Sequence, residues 1–202
     1  MPVLAELSIA DDPDAWRDAG FTVDDDGQCV IGHVRLWLQP EEGRAGVTAW
    51  ALAGLDEVAP IDGVPTTAPT HDVPEPWEHP NGSTLLDHVV VSSPDSNRTK
   101  TALEAVGLPA KRTRDIGRGM QQIFFRAGEV IIELVGPVEP AGDAPAGFYG
   151  LAINVRDIDA TKAGLGDRLT DPKDAVQPGR RIATLKTRDL GITTAIAFMS
   201  EG

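Results

Sequence analysis

The sequence predicts an α+β fold assembled from tandem β-α-β-β-β units. Three observations point there. The order strand, helix, three strands reads twice after residue 83, and once more in shortened form at the N-terminus. Each copy sets an Asp-containing turn after its first strand: PDA at 13–15, SPDS at 93–96 and RDIDA at 156–160. Glycines then punctuate the strands where hairpins are needed.

Taken in order, LAELSIA is a strand, DDPDAWRDAG a helix, and FTVDDD, QCVIGH and VRLWLQP are strands. GVTAWALAGL (46–55) reads as one more. The stretch 56–83 holds prolines at 60, 65, 69, 74, 76 and 80, the composition of a linker lying across a surface. In LLDHVVV, two leucines and three valines surround one histidine, in a run short and β-branched enough for a mostly buried strand. SPDSNRTKTALEAVGL has the Asp/Ser entry and Gly exit of a helix. The strands LPAKRTRDIG, MQQIFFRAG and EVIIELVGP complete that unit. Its repeat is FYGLAINV, the short helix DIDATKAGLGDRL, a weak strand in TDPKDAV, then AVQPGRRIATLKT and ITTAIAFM. The organisation expected is therefore a degenerate unit at 1–56, a Pro-rich linker at 57–82, and a domain at 83–202 made of units 83–140 and 147–202.

Composition separates the same parts. Residues 1–80 carry 16 Asp/Glu against 3 Lys/Arg, while the remainder carries 15 of each, so the whole net charge of −13 sits at the N-terminal end. All four tryptophans lie there too, and the first lysine is Lys100. An acidic surface of this kind disfavours nucleic acid and anionic membranes as partners and favours solubility. A single cysteine, Cys29, gives no intrachain disulfide and no cysteine metal cluster. The acidic start MPVLAELSIADDPD lacks the apolar core of a signal peptide, and no stretch approaches a membrane span. These features predict a cytoplasmic protein.

The chemistry centres on His88. Period-2 alternation sets Leu86, His88 and Val90 on one face of their strand, and Ile131, Glu133 and Val135 on one face of theirs. A charged Glu133 between apolar neighbours costs several kcal/mol unless it is paired, and His88 or a metal would pair it. Three readings stay open: a metal pair, a metal-free polar pair lining a ligand cup as a proton-transfer couple, and a structural pair. Alternation also divides Gln121 from Gln122, Phe124 from Phe125, and Arg180 from Arg181, sending one of each into a cup. A guanidinium there would hold a carboxylate or phosphate. Arg126 reads as a second cation or as a partner for a surface acid. Arg98, in the first turn of its helix, needs a nearby acid such as Asp95. His33 reads as a hairpin corner, His71 as solvated, and His79, before Pro80, as extended near a turn. No G-x-S-x-G elbow, phosphate loop or complete EF-hand is present.

Tandem β-α-β-β-β units with His in the first strand and Glu in the last resemble the vicinal oxygen chelate superfamily, which includes glyoxalase I, extradiol dioxygenases and bleomycin-resistance proteins. The pattern LDHVVV…RTKTALEAVGL…QQIFFRAGEVIIELVGP…AVQPGRRIATL…AFM is also similar to bacterial glyoxalase-like proteins. The resemblance is strongest over 83–202 and fainter over 1–56. It implies a cup-shaped half-barrel with a divalent metal (Zn, Ni, Fe or Mn) bound by the first and last strands of each unit, so that His88 and Glu133 would serve as metal ligands or as catalytic acid and base. The second unit departs from the pattern, with Ala152 opposite His88 and Ala197, or a neighbour in AIAFM, opposite Glu133. The implied metal site is thus half missing. Gln122, Gln177 or His79 would have to supply a third ligand. Gln122, Phe124, Gln177, Arg180 and Arg181 are the expected ligand-binding residues. The implied activity is a lyase, isomerase or dioxygenase acting on a small molecule, the alternative being a metal-free sequestering protein of the bleomycin-resistance type. An unpaired N-terminal unit exposes sheet edges. That predicts a homodimer anchored by Trp16, Trp37 and Trp50, or an intramolecular cap made by GVTAWALAGL.

Overall fold

The computed structural model describes residues 1–201 as two sheets. The larger has eight strands and arises from two β-α-β-β-β units. The first unit comprises β6 (Ser83–Ser92), α2 (Ser96–Ala105), β7 (Arg112–Gly117), β8 (Met120–Ala127) and β9 (Val130–Pro137). The second comprises β10 (Gly147–Val155), α3 (Ile158–Leu165), β11 (Lys173–Asp174), β12 (Arg181–Thr184) and β13 (Ala195–Ser200). The spatial order β11-β12-β13-β10-β6-β9-β8-β7 joins the units through the antiparallel β6–β10 pair. In each unit the first and last strands run parallel, β6 with β9 and β10 with β13. The helices cover one face. Asp95 caps α2 by accepting from the Arg98 N–H at 2.9 Å, and Asp157 caps α3 through the Asp159 and Ala160 N–H groups. Val89, Val91, Ile132, Leu134, Ile123 and Phe125 point to this covered face and are fully buried. The opposite face is the inside of a cup.

The smaller sheet has five strands. Its strands are β1 (Val3–Ile9), β2 (Gln28–Ile31), β3 (Val34–Leu38), β4 (Val47–Ala53) and β5 (Thr66–Thr67), with α1 (Pro13–Asp18) after β1. The pairing repeats the logic of the larger sheet. β1 runs parallel to β3 and antiparallel to β4, and β4 runs parallel to β5. β1 and β4 thus stand where β6 and β10 stand, and the strands following β4 have shrunk to two residues. GVTAWALAGL covers the β1 edge within the chain. FTVDDD forms no strand: Asp24 instead accepts from the N–H groups of Asp26 and Gln28, tying the segment into a turn.

The Pro-rich stretch does more than cross a surface. Ile61 and Val64 are buried, Thr66 receives the Trp50 indole N–H at 2.7 Å, and Asp62 pairs with Arg98 at 2.7 Å. Arg98 therefore finds Asp62, not Asp95. His79 is also structural. Its Nδ1 accepts the Thr22 N–H at 3.0 Å and its Nε2–H donates to the Val30 carbonyl at 2.8 Å, which fixes the neutral tautomer. Burial lowers its pKa against the opposing pull of the Val30 hydrogen bond. His33 is exposed in the β2–β3 turn, and His71 packs on Trp37.

The two sheets share one continuous core. Trp50 meets Phe148 edge to face at 5.2 Å, and Phe21 meets Phe198 at 6.0 Å. Asp11, 2% exposed, accepts from the Trp16 indole and from both backbone N–H and hydroxyl groups of Thr193 and Thr194. Trp16 and Trp50 are therefore consumed inside the chain, while the half-buried Trp37 donates to Glu6 at 3.3 Å. Cys29 is wholly buried, and that burial, with Asp24 nearby, pushes its thiol pKa far up. Among the described residues no helix is long and apolar enough to cross a membrane.

Candidate functional site

Pairing between β6 and β10 skips one residue. Leu86 faces Ile153 and His88 faces Ala152, which leaves Asp87 as a bulge. A bulge turns two consecutive side chains to the same side. Leu86 consequently faces the core, and Asp87, His88 and Val90 face the cup. The expected grouping of Leu86 with His88 is wrong for this reason, and Asp87 takes its place. The N-terminal copy shows the same break: Ala5 is the extra residue, Leu4, Leu7 and Ile9 are buried, and Glu6 occupies the position of His88.

Parallel pairing of β6 and β9 sets Val90 opposite Glu133, and β8 sets Phe124 opposite Glu133 and Gln122 opposite Val135. His88 Nε2 lies 3.2 Å from Glu133 Oε2, and the Gln122 amide donates to Glu133 Oε1 at 2.5 Å. On the other side His88 Nδ1 lies 2.8 Å from Asp87 Oδ2. Arg180 Nη1 donates to Asp87 Oδ1 at 2.9 Å, its Nη2 to Asn154 Oδ1, and its Nε to the Ser200 carbonyl at 2.9 Å. The result is an unbroken chain, Arg180–Asp87–His88–Glu133–Gln122. Burial works to raise the Asp87 pKa, yet the His88 hydrogen bond and the Arg180 charge outweigh it and hold the carboxyl at about 2.

The paired residues of the sequence separate as alternation requires. Gln122 enters the cup, while Gln121 donates to Ser96 beneath the sheet at 2.9 Å. Phe124 lines a cavity on the cup side and Phe125 lies in the core. Arg180 turns inward. Arg181 turns outward to Asp159 at 2.6 Å and takes no part in the cup. Gln177 lines a cavity beside Phe124, and its backbone carbonyl accepts the Arg180 N–H at 3.2 Å. Asp87 is the member that alternation misses, while Asn154 joins the cluster from the face it shares with Ala152.

The second unit has no counterpart of the His/Glu pair. Ala152 stands at the position of His88 and, two residues beyond its partner Ala197, Met199 stands at that of Glu133. The space beside them holds the Arg180 guanidinium. A divalent metal of the kind named above would therefore find two first-rank donors, His88 Nε2 and Glu133. Asp87 is turned to the far nitrogen of the same imidazole, and His79 is committed elsewhere. Among the described residues no three His, Cys, Asp or Glu side chains are placed to share a metal. Sites of this class usually take three or more protein ligands, and a fixed cation one residue away repels another. The residues present do not fit the metal.

Two cavities open beside the pair. One of about 660 Å³ runs from Glu133 past Val90, Val135, Met120 and Tyr149. One of about 250 Å³ runs from His88 past Ile182, Thr184 and Ala197. Val90 and Tyr149 border both.

The whole chain is similar in structure to BphC, a halotolerant catechol dioxygenase, over 99% of this chain and 87% of that one, with 14% identity and a TM-score of 0.65. A catechol 2,3-dioxygenase aligns over 99% and 87%, with 15% identity and a TM-score of 0.59. Methylmalonyl-CoA epimerase from Mycobacterium tuberculosis aligns over 60% of this chain and 90% of its own, with 20% identity and a TM-score of 0.48. No protein-family model matches the sequence, and no curated protein matches it.

Proposed function

From the vicinal oxygen chelate fold that this chain has, we propose that its cup is a metal-independent acid–base site for a small molecule, of the isomerase or lyase type. The chain from Arg180 to Gln122 carries this reading. Two acceptor atoms, Nε2 and Oε2, approach to 3.2 Å only with a proton between them. That proton is shared by His88 and Glu133, while Arg180 and Asp87 neutralise one another. The cluster is then balanced without a divalent ion, and Asp87 fixes the imidazole as a buried carboxylate does in proton-transfer sites. Glu133 and His88 both border open cavity, so either can exchange a proton with a ligand lying over Val90. An isomerase or lyase step needs a proton removed from or returned to carbon, which this couple supplies. A dioxygenase step needs an iron, for which the donors are too few.

A second reading is sequestration of a small molecule without turnover, of the bleomycin-resistance type. It is favoured by the apolar lining that Val90, Val135, Met120 and Tyr149 give the larger cavity.

The test has two arms. Zn²⁺, Ni²⁺, Fe²⁺ and Mn²⁺ are each added to the purified protein while its unfolding is followed. A bound metal at about 100 times its Kd would add about 2.7 kcal/mol; no stabilisation is expected. In D₂O, a panel of small 2-oxo acids and thioesters is followed by NMR for deuterium entering carbon. Incorporation that disappears in Glu133→Gln and His88→Ala supports the acid–base reading. One equivalent of tightly held metal, lost in the same variants, would overturn it. Binding without any exchange would favour sequestration.

A further inference from the structure

Beside the acid–base couple lies a third cavity of about 610 Å³, bordered by Phe124, Ile131, Lys111, Arg112, Arg114 and Arg126, with Val176–Pro178 of the second unit across from them. Its position follows from the register. Ile131 is the cross-strand partner of His88, and Phe124 is that of Glu133. Arg112 pairs with Phe124, and Arg114 with Gln122. All of them belong to the cup side of their strands.

Four cations on one cavity are unusual in a chain of net charge −13 with only 18 Lys and Arg. Elsewhere the basic side chains of the cup are spent: Arg180 is bound to Asp87, and Arg181 leaves the cup for Asp159. Here none forms an ion pair among the described residues. Arg126 donates to the backbone carbonyl of Glu129 at 2.8 Å, and no acid faces Lys111, Arg112 or Arg114 within ion-pair distance. Like charges gathered without a counter-charge repel one another, and an anionic ligand removes that cost. Guanidinium groups hold carboxylate and phosphate oxygens in pairs. Phe124, Ile131, Val176 and Pro178 supply apolar surface for the body that carries the anion.

We infer that Lys111, Arg112, Arg114 and Arg126 form the anion-recognising wall of the cup, and that its ligand is a small organic anion, a carboxylate or a phosphate ester, with an apolar body against Phe124. This rests on the reading of the cup as a small-molecule site and names the class of molecule. With its anionic end held there, the rest of the ligand extends across Phe124 and Ile131 onto Glu133 and His88.

Benzoate, phenyl phosphate and the neutral benzyl alcohol are titrated into the full chain, with binding followed by amide and methyl NMR shifts. At least one anion should bind about tenfold or more tightly than benzyl alcohol. Its affinity should fall as salt rises through the range where the screening length drops below about 10 Å. The stronger of the two anions identifies the group recognised. Arg112→Gln/Arg114→Gln should weaken that anion by about tenfold, and Arg126→Gln, on an exposed position, provides a second variant if the double one is impaired in folding. Arg181→Gln, which removes a cation that leaves the cup for Asp159, should leave the affinity within about threefold. Equal binding of all three probes, no binding of either anion, or an affinity unchanged by the arginine variants would overturn the inference. If the anions fail while deuterium exchange persists, the wall falls and the acid–base reading stands; if they bind while exchange is absent, the reverse holds.

Discussion

Asp87 and Arg180 are joined within the cup at 2.9 Å, with side chains 9% and 14% exposed. Their bond has a pH signature. The Asp87 carboxyl lies at about 2 in the folded chain against an ordinary 3.8, so the stability it contributes is complete above about pH 4 and is lost as pH falls towards 2. That contribution is about 2 kcal/mol. Arg180→Gln removes the main charge partner and should move the acid loss upward in pH, as followed by denaturant unfolding between pH 5 and pH 2. Asp87→Asn should cost more at neutral pH, about 3 kcal/mol, because it leaves a nearly buried guanidinium without its carboxylate. His79 gives the opposite kind of residue. Burial depresses its pKa, so the native state binds its proton less readily than the unfolded chain, and stability should decline as pH falls below about 6.5. His79→Gln should flatten that part of the profile between pH 7.5 and pH 5.5. An unchanged slope would show that another group sets it.

At the scale of the element, the site is made by irregular strands. Most of it is legible in the sequence, because alternation in β8, β9 and β12 is regular: Gln122, Phe124, Glu133 and Arg180 part from their neighbours as period 2 requires. Asp87 is not legible that way, since a bulge is fixed by pairing with a strand about 65 residues further on. A trace of it does exist in the letters. The apolar positions 4, 7 and 9 in LAELSI and 86, 89 and 91 in LDHVVV break period 2 at the same step. Comparing the copies with each other would have revealed it. The two-residue β5 has no such trace, because Thr66 and Thr67 become a strand only through Trp50 and Ala51. Gly150, on the cup side of β10, marks another constrained point. A Cβ there would come within 2.4 Å of the Ala195 carbonyl oxygen, so Gly150→Ala should force β10 and β13 apart and cost about 1–3 kcal/mol. Amide exchange should quicken along β13 and leave β8 and β9 unchanged.

At the scale of the whole molecule, the two sheets share a core and are clasped by Asp11. Asp11→Ala would strand the buried N–H and hydroxyl of Thr194 and the partly buried N–H of Thr193, at a cost of about 3 kcal/mol. All four tryptophans lie in the first 80 residues, so their fluorescence reports the smaller sheet, while far-UV dichroism sums the whole chain. In the parent protein the two signals should change together in urea, as expected of one cooperative unit. In Asp11→Ala they should separate, with fluorescence moving first if the larger sheet stands alone. Coincident curves in the variant would place the coupling in the aromatic contacts instead. One consequence of Arg180 belongs at this scale. The positive charge that balances the cup is carried on a covalent tether from the chain itself. It cannot be withdrawn by a chelator, exchanged for a competing ion or changed in oxidation state. The charge that faces Asp87 is therefore in place as soon as the chain has folded.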